Sequence, residues 1–188
     1  MTTPDQPRLD RAEEIAQAWR REQPGLPVDS IGILTRIQHT AKLLADERRR
    51  VLAQVGMDAA TLDLLSTLRR SGRPYRLSTR ELATRCLITP GAVTQRVDRA
   101  RDEGFVRRLT AHPGTRAVPV ELTPEGHRAV ENAVDTLLTY EQGLIEVLSP
   151  HEQQALTRLL VVLLQDLNDR AHRRAGDLER PEDTDPRS

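Results

Sequence analysis

Two helix-start signals stand close together near the middle of the chain, and they restrict its fold more than any other feature. Ser78 is followed three residues later by Glu81, and Thr89 is followed at once by Pro90. A Ser or Thr hydroxyl accepts hydrogen bonds from the open N–H groups of a first helical turn, and proline suits the first helical position because its missing N–H costs nothing there. The first helix turns Leu82 inward. The second places Val93, Val97 and Ala100 on its inward face and ends at Gly104. Only Leu87-Ile88 connects them, which is the spacing of a helix-turn-helix.

After Gly104 the apolar period changes from helical to alternating. Phe105, Arg107 and Leu109 fall on one side of a first run, Val118, Val120 and Leu122 on one side of a second, and His112-Pro113-Gly114-Thr115 turns between them. This pattern predicts a β-hairpin. Helical patterns flank the region. One covers Leu9 to Glu22 and is broken by Gln23-Pro24-Gly25-Leu26-Pro27. The next is capped by Asp29 or Ser30, carries Ile33, Ile37, Leu44, Val51 and Val55, and ends at Gly56. Asp58 caps a helix with Leu62, Leu65 and Leu68 on one face, stopping at Ser71-Gly72-Arg73-Pro74. Thr123-Pro124 opens a helix with Val130, Val134, Leu137, Leu144 and Leu148. Ser149-Pro150 with Glu152 opens the last, with Leu156, Leu159, Leu160, Leu163 and Leu167. The expected fold is all-α with a small β-hairpin wing, a winged helix-turn-helix at 57–122 between helical segments at 9–56 and 123–175. Residues 1–8 and an acidic tail, 176–188, are expected to be disordered.

The formal net charge is zero, but it is unevenly spread. From Met57 to Leu122 there are 12 Arg against 7 acids, while 176–188 carries a net −3. All basic residues but Lys42 are arginine; genomic base composition accounts for most of that bias, and arginine still binds phosphate well. Aromatic residues make up 2% of the chain, leaving few stacking platforms for single strands. Cys86 is the only cysteine, which excludes an internal disulfide, and its place between Leu82 and Leu87 fits a small buried residue better than a nucleophile. His39, His112, His127, His151 and His172 are scattered, and the second histidine a zinc motif at His151-Glu152 would need is Ala155. No Gly-rich phosphate loop or triad pattern occurs. These features point away from an enzyme, a cofactor or a metal. No apolar run reaches transmembrane length, and Met1 to Arg11 has no signal-peptide core, so a cytoplasmic protein without a membrane partner is expected.

The function-bearing residues follow from the helix-turn-helix. Thr89, Pro90 and Gly91 form a helix N-terminus whose free N–H groups suit a phosphate. Thr94, Gln95 and Arg99 point outward and can reach base edges, with Gln suited to adenine and Arg to guanine. Arg116, near the hairpin tip, can enter a minor groove. A solvated helix beside an ordinary hairpin is the plain alternative for each residue alone. The order of the elements favours double-stranded DNA as the partner.

Met57 through Val120-Glu121-Leu122-Thr123-Pro124-Glu125-Gly126 resembles the MarR family of bacterial regulators. The resemblance implies that the flanking helices build a homodimer, that each protomer lays a recognition helix in a major groove, and that the operator is pseudopalindromic, usually for repression. Two departures stand out. The family often has an Asp two residues before its wing Arg, where this chain has Gly114, and Pro119 sits in the second wing strand, where an edge position is expected. Trp19-Arg20-Arg21-Glu22 followed by Pro24, with Asp63, Arg96 and Arg108, is similar to the urate-responsive subgroup, in which an added N-terminal helix packs over a ligand site. That resemblance implies a site for a small anion: urate first, then related purines or a carboxylate. Trp19 would supply an aromatic wall and Arg108 a guanidinium. An Asp63–Arg96 ion pair would tie the scaffold to the recognition helix, so that a bound anion weakens DNA binding. Two other readings stay open: a DNA-binding regulator with no small-molecule response, and a helical protein-interaction module that binds no DNA.

Overall fold

The computed structural model describes residues 10–110 and 119–178, with side chains as far as Arg174. Its elements are α1 (Arg11–Glu22), α2 (Asp29–Gln54), α3 (Ala59–Arg70), β1 (Arg76–Ser78), α4 (Thr79–Cys86), α5 (Pro90–Asp102), β2 (Val106–Arg108), β3 (Pro119–Leu122), α6 (Pro124–Ile145) and α7 (Pro150–Leu178). They fall into two compact units, one up to Leu138 and one from Thr139 on. The fold class is the expected one, mainly helical with a small antiparallel sheet. The hairpin turn, Gly114, Arg116, Val118, residues 1–8 and the tail beyond Leu178 lie outside the described residues.

The first unit is organised around α3. Asp58 caps it, accepting from the N–H groups of Ala60 (2.8 Å) and Thr61 (2.9 Å). Its Leu62, Leu64, Leu65 and Leu68 are buried together with Leu82 of α4, Val93, Val97 and Ala100 of α5, Val106 and Val120 of the sheet, and Val130, Ala133 and Leu137 of α6. The expected inward faces of α3, α4 and α5 are thus the observed ones. Tyr75 fastens α3 to α6 at the rim: the Arg69 guanidinium lies 4.8 Å from its ring centre, the His127 ring stands edge-on at 4.7 Å, and Arg69 pairs with Glu131 at 2.7 Å.

α2 joins this core only through its end. Val51 and Leu52 are buried, and a left-handed Gly56 (φ +67°) closes the helix. The Met57 N–H reaches the Leu52 carbonyl (3.0 Å) and that of Gly56 reaches Ala53 (3.2 Å), the paired bonds of a Schellman stop. The start of α2 corrects the expected cap. Neither Asp29 nor Ser30 caps it; Val28 holds that position in a helical conformation with no side-chain bond. The Val28 N–H is already bonded to the Leu26 carbonyl (2.9 Å), so the turn carries the chain into helical geometry one residue early. Asp29 then lies in the first turn, where its charge favours the helix dipole.

α1 packs along α2 through Ala12 and Ala16, which are buried. Asp10 caps α1 through the Glu13 N–H (3.0 Å) and also clamps α2, taking bonds from Arg36 Nε (2.6 Å) and Nη2 (2.9 Å). Ile33 and Leu44 of the expected inward face, and Leu34 and Leu43 beside it, are uncovered in the single chain, while Ile31 and Ile37 are half-buried.

Sequence reasoning missed β1, which is only three residues long and too short to show a period. Its presence changes the sheet. The strand order is β1-β3-β2 with every pairing antiparallel, so β3 is central, and Pro119 is not on the edge strand expected for it. The sheet tolerates it because it is the first residue of the strand, where a missing N–H interrupts nothing. Its carbonyl still accepts from the Leu109 N–H (2.9 Å). In β2 the inward residue is Val106, of opposite parity to Phe105 and Arg107.

Glu121 stands at the middle of the sheet, opposite Arg76 on β1 and Arg107 on β2. It takes a 2.9 Å bond from Arg76 and one of 2.7 Å from Arg107 Nε. The Arg76 bond, helped by Arg107 and only partly opposed by burial, holds its carboxyl below the ordinary value of 4.5. A carboxyl lowered by folding stabilises the protein above its unfolded-state pKa, and that contribution disappears as pH falls through the folded value. Glu121→Gln should therefore cost about 1 kcal/mol near pH 7, the arginines being partly in water. It should also flatten the decline of stability below pH about 4.5. Chemical denaturation across pH 3 to 7 reads both, and parallel curves for the two proteins would refute the assignment.

In the second unit, Ser149 and Glu152 form the expected capping box of α7, with Ser149 N–H to Glu152 at 2.8 Å. The expected face of α7 is largely uncovered in the single chain: Leu156, Leu159, Leu160 and Leu167 are exposed. The helix also continues through Gly176 to Leu178, past the expected boundary at 175. A single glycine costs a helix only about 1 kcal/mol relative to alanine, too little by itself to end one.

Candidate functional site

The helix-turn-helix is built by three caps. Ser78 and Glu81 form a complete capping box at the start of α4, with Ser78 N–H to Glu81 at 2.8 Å and Glu81 N–H to Ser78 Oγ at 3.2 Å. Leu87 ends α4 in the left-handed conformation (φ 54°), and the Ile88 N–H folds back to the Ala83 carbonyl (3.1 Å). Thr89 then caps α5 by accepting from the Ala92 N–H (3.3 Å). With Leu82, Val93 and Val97 buried beneath it, α5 has only one face left for solvent.

That face holds the residues the sequence nominates. Thr89, Pro90, Gly91, Thr94, Gln95 and Arg99 are all exposed. The Thr94 hydroxyl donates to the Pro90 carbonyl (3.1 Å). Leu87, treated in the sequence only as a connector, is 90% exposed beside the N-terminus of α5. Its exposure could not be read from an apolar residue in a two-residue turn.

The charges of α5 are arranged in a way that counting could not reveal. Each of its arginines is engaged by a carboxylate. Arg96 meets Asp63 of α3 at 3.0 Å. Arg99 meets Asp58 at 3.0 Å and Glu103 at 3.1 Å. Arg101 meets Asp98 at 3.1 Å and Asp102 at 2.8 Å. Asp98 also receives Arg108 of β2 at 3.1 Å. The excess of arginine between Met57 and Leu122 therefore lies off this helix.

Of the four candidate ligand residues, three lie on neighbouring elements around α5. Asp63 and Arg96 are directly paired, and both are half-buried. Arg108 is bound to Asp98 instead, and its Nε is buried without a hydrogen-bond partner among the described residues. Trp19, on α1, is 48% exposed and has no hydrogen bond or ring contact to the other three among the described residues. Cys86 is half-buried against Thr67 (Sγ to Oγ1, 3.5 Å), and burial pushes its thiol pKa up, as suits an unreactive side chain.

Residues 55–116 match the model of the MarR family. Over that stretch the chain is similar to the MarR family. PecS, an HTH-type transcriptional regulator of Dickeya dadantii (strain 3937), is 29% identical over 150 residues, covering 80% of this chain and 89% of PecS. Apo wild-type MarR of E. coli is 26% identical with a TM-score of 0.59, over 70% of this chain and 96% of MarR. Sco5413, a MarR family transcriptional regulator of Streptomyces coelicolor, shares the fold at 24% identity and a TM-score of 0.62, over 74% of this chain and 96% of that one. PecS and Sco5413 are transcription regulators rather than enzymes. Among the described residues, no single helix is long and apolar enough to cross a membrane.

Proposed function

We propose that this chain is a cytoplasmic, homodimeric transcription regulator, usually a repressor. In this reading it holds a pseudopalindromic duplex and releases it when a small anion such as urate, a related purine or a carboxylate binds. The observation that carries the reading is the Asp63–Arg96 ion pair, which joins α3 to the helix presenting Thr94 and Gln95. A ligand that competes for either partner has a different affinity for the paired and unpaired arrangements, and that difference is what couples two sites. Arg108 adds a buried donor without an acceptor among the described residues, a group that an anionic oxygen would satisfy. Thr89 to Gly91 would take a phosphate, and Arg116 a minor groove. The uncovered apolar positions of α2 and of α7 suit a second protomer, since exposed apolar surface of this kind marks interfaces.

Fluorescence anisotropy of the labelled upstream region of the chain's own gene, with and without urate, tests the reading. Salt-sensitive binding that urate relieves is the expected result. Binding that urate leaves unchanged would reject urate as the effector, and no binding at any salt concentration would reject the DNA-binding role. Thr94→Ala and Gln95→Ala should each weaken operator binding by about 1–3 kcal/mol with little change in melting temperature. Unchanged affinity in both would discard α5 as the base-reading face.

A regulator without a small-molecule response is the second reading. Trp19, half exposed and without a hydrogen bond or ring contact to Asp63, Arg96 or Arg108 among the described residues, favours it. Trp19→Ala and Arg108→Ala distinguish the two, because loss of the urate response with DNA binding intact requires a ligand site.

A further inference from the structure

Arg99 stands with Thr94 and Gln95 on the exposed side of α5, and its guanidinium is engaged along one edge. Nε donates to Glu103 (3.1 Å), one turn further along α5, and Nη2 lies 3.0 Å from Asp58 Oδ2. Nη1 has no partner among the described residues, and the side chain is 62% exposed. A guanidinium offers five N–H donors in a rigid plane. The Glu103 hydrogen bond and the Asp58 ion pair restrain the Nε side and leave the outer edge, Nη1 with an Nη2 hydrogen, available for a paired contact.

Asp58 is itself immobile. Its Oδ1 caps α3 through two backbone N–H groups, at 2.8 and 2.9 Å, and its Oδ2 takes the Thr61 hydroxyl at 3.1 Å. The position of Arg99 is therefore referred to the core helix α3 as well as to α5. Exposed ion pairs of this kind add little to folding stability; their consequence is orientation.

We infer that Asp58 and Glu103 are positioning residues that hold Arg99 as a preset reader of a guanine, so that base specificity at one operator position depends on two carboxylates that touch no DNA. The inference rests on α5 being the recognition helix. Paired contacts to guanine O6 and N7 are the usual way arginine specifies a base. Without the two carboxylates Arg99 keeps its charge and loses its orientation, so general affinity for the duplex persists while discrimination falls.

The test compares two duplexes: one selected by the wild-type protein from a randomised pool, and a scrambled duplex of equal length. The variants are Asp58→Asn, which retains an oxygen able to cap α3, Glu103→Gln and Arg99→Ala. The expected result is that Arg99→Ala lowers the ratio of selected to scrambled affinity about tenfold or more. Asp58→Asn and Glu103→Gln should lower that ratio in the same direction, with binding to the scrambled duplex kept or strengthened and melting temperatures unchanged. An undiminished ratio in both carboxylate variants, or in Arg99→Ala, overturns the inference while leaving the DNA-binding reading intact. Failure of the wild type to enrich or bind any duplex would remove that reading, and this inference with it.

Discussion

Gly126→Ala should leave the winged helix unfolded or nearly so, at a cost of about 3 kcal/mol or more. Gly126 is buried in the first turn of α6. A Cβ there would stand 2.0 Å from the Phe105 carbonyl oxygen, 2.9 Å from its carbon and 3.2 Å from Leu122 Cδ2. The first two are backbone atoms and cannot rotate aside. Nor is the Phe105 carbonyl free to shift, since it accepts the Thr123 N–H at 3.0 Å. The Thr123 hydroxyl in turn lies 2.7 Å from the Gly104 carbonyl oxygen and accepts the Gly126 N–H at 3.0 Å. One methyl group therefore pushes at once on the end of α5, the start of β2 and the cap of α6. Gly126 has a helical conformation, so the cost arises from close approach rather than from φ, and Gly126→Ser should fail for the same reason. Thermal unfolding of the purified variants measures it. A melting temperature within a few degrees of wild type would mean that α6 can move away from β2.

How far the sequence alone specified this architecture depended on how local each signal was. Caps are local. Asp58, Ser78 with Glu81, Thr89 and Ser149 with Glu152 were all legible, because a hydroxyl or carboxylate needs only the next three residues to act. The inward faces of α3 to α5 were legible for the same reason, since their period is written within one helix. Strand β1 was not, because three residues carry no period and its partner lies more than forty residues away. The placement of Pro119 failed with it, since a strand is central or on an edge only in relation to its neighbours. The carboxylates around α5 were half-legible. The Asp63–Arg96 pairing was inferred from a resemblance and is present, whereas the approach of Asp58 to Arg99 and of Asp98 to Arg108 depends on three-dimensional placement that no spacing announces. Uncovered positions on α2 and α7 show the same limit from the other side. A helical period reports that a face needs covering and is silent on which chain covers it.

Leu82→Ala is expected to produce the second large effect, and it connects packing to function. Leu82 is wholly buried and is the one buried residue of the eight in α4. That helix lies between α3, α5 and β1, and its other apolar residues, Ala83 and Cys86, are small and only half-buried. Truncation removes the transfer free energy of three carbon atoms and leaves a cavity, for a loss of about 2–5 kcal/mol. The lower end applies if α4 collapses inward, but collapse is not neutral here. The left-handed turn at Leu87 and the cap at Thr89 follow directly from the end of α4, so an inward shift of α4 displaces the N-terminus of α5. DNA affinity should therefore fall in the folded fraction as well as through unfolding. Measuring both quantities at a temperature where the variant remains folded separates the two contributions. A variant with lost stability and wild-type affinity would show that Val93, Val97 and Ala100 alone fix α5. A variant with lost stability and lost affinity would show that the recognition helix takes its position from the helix before it.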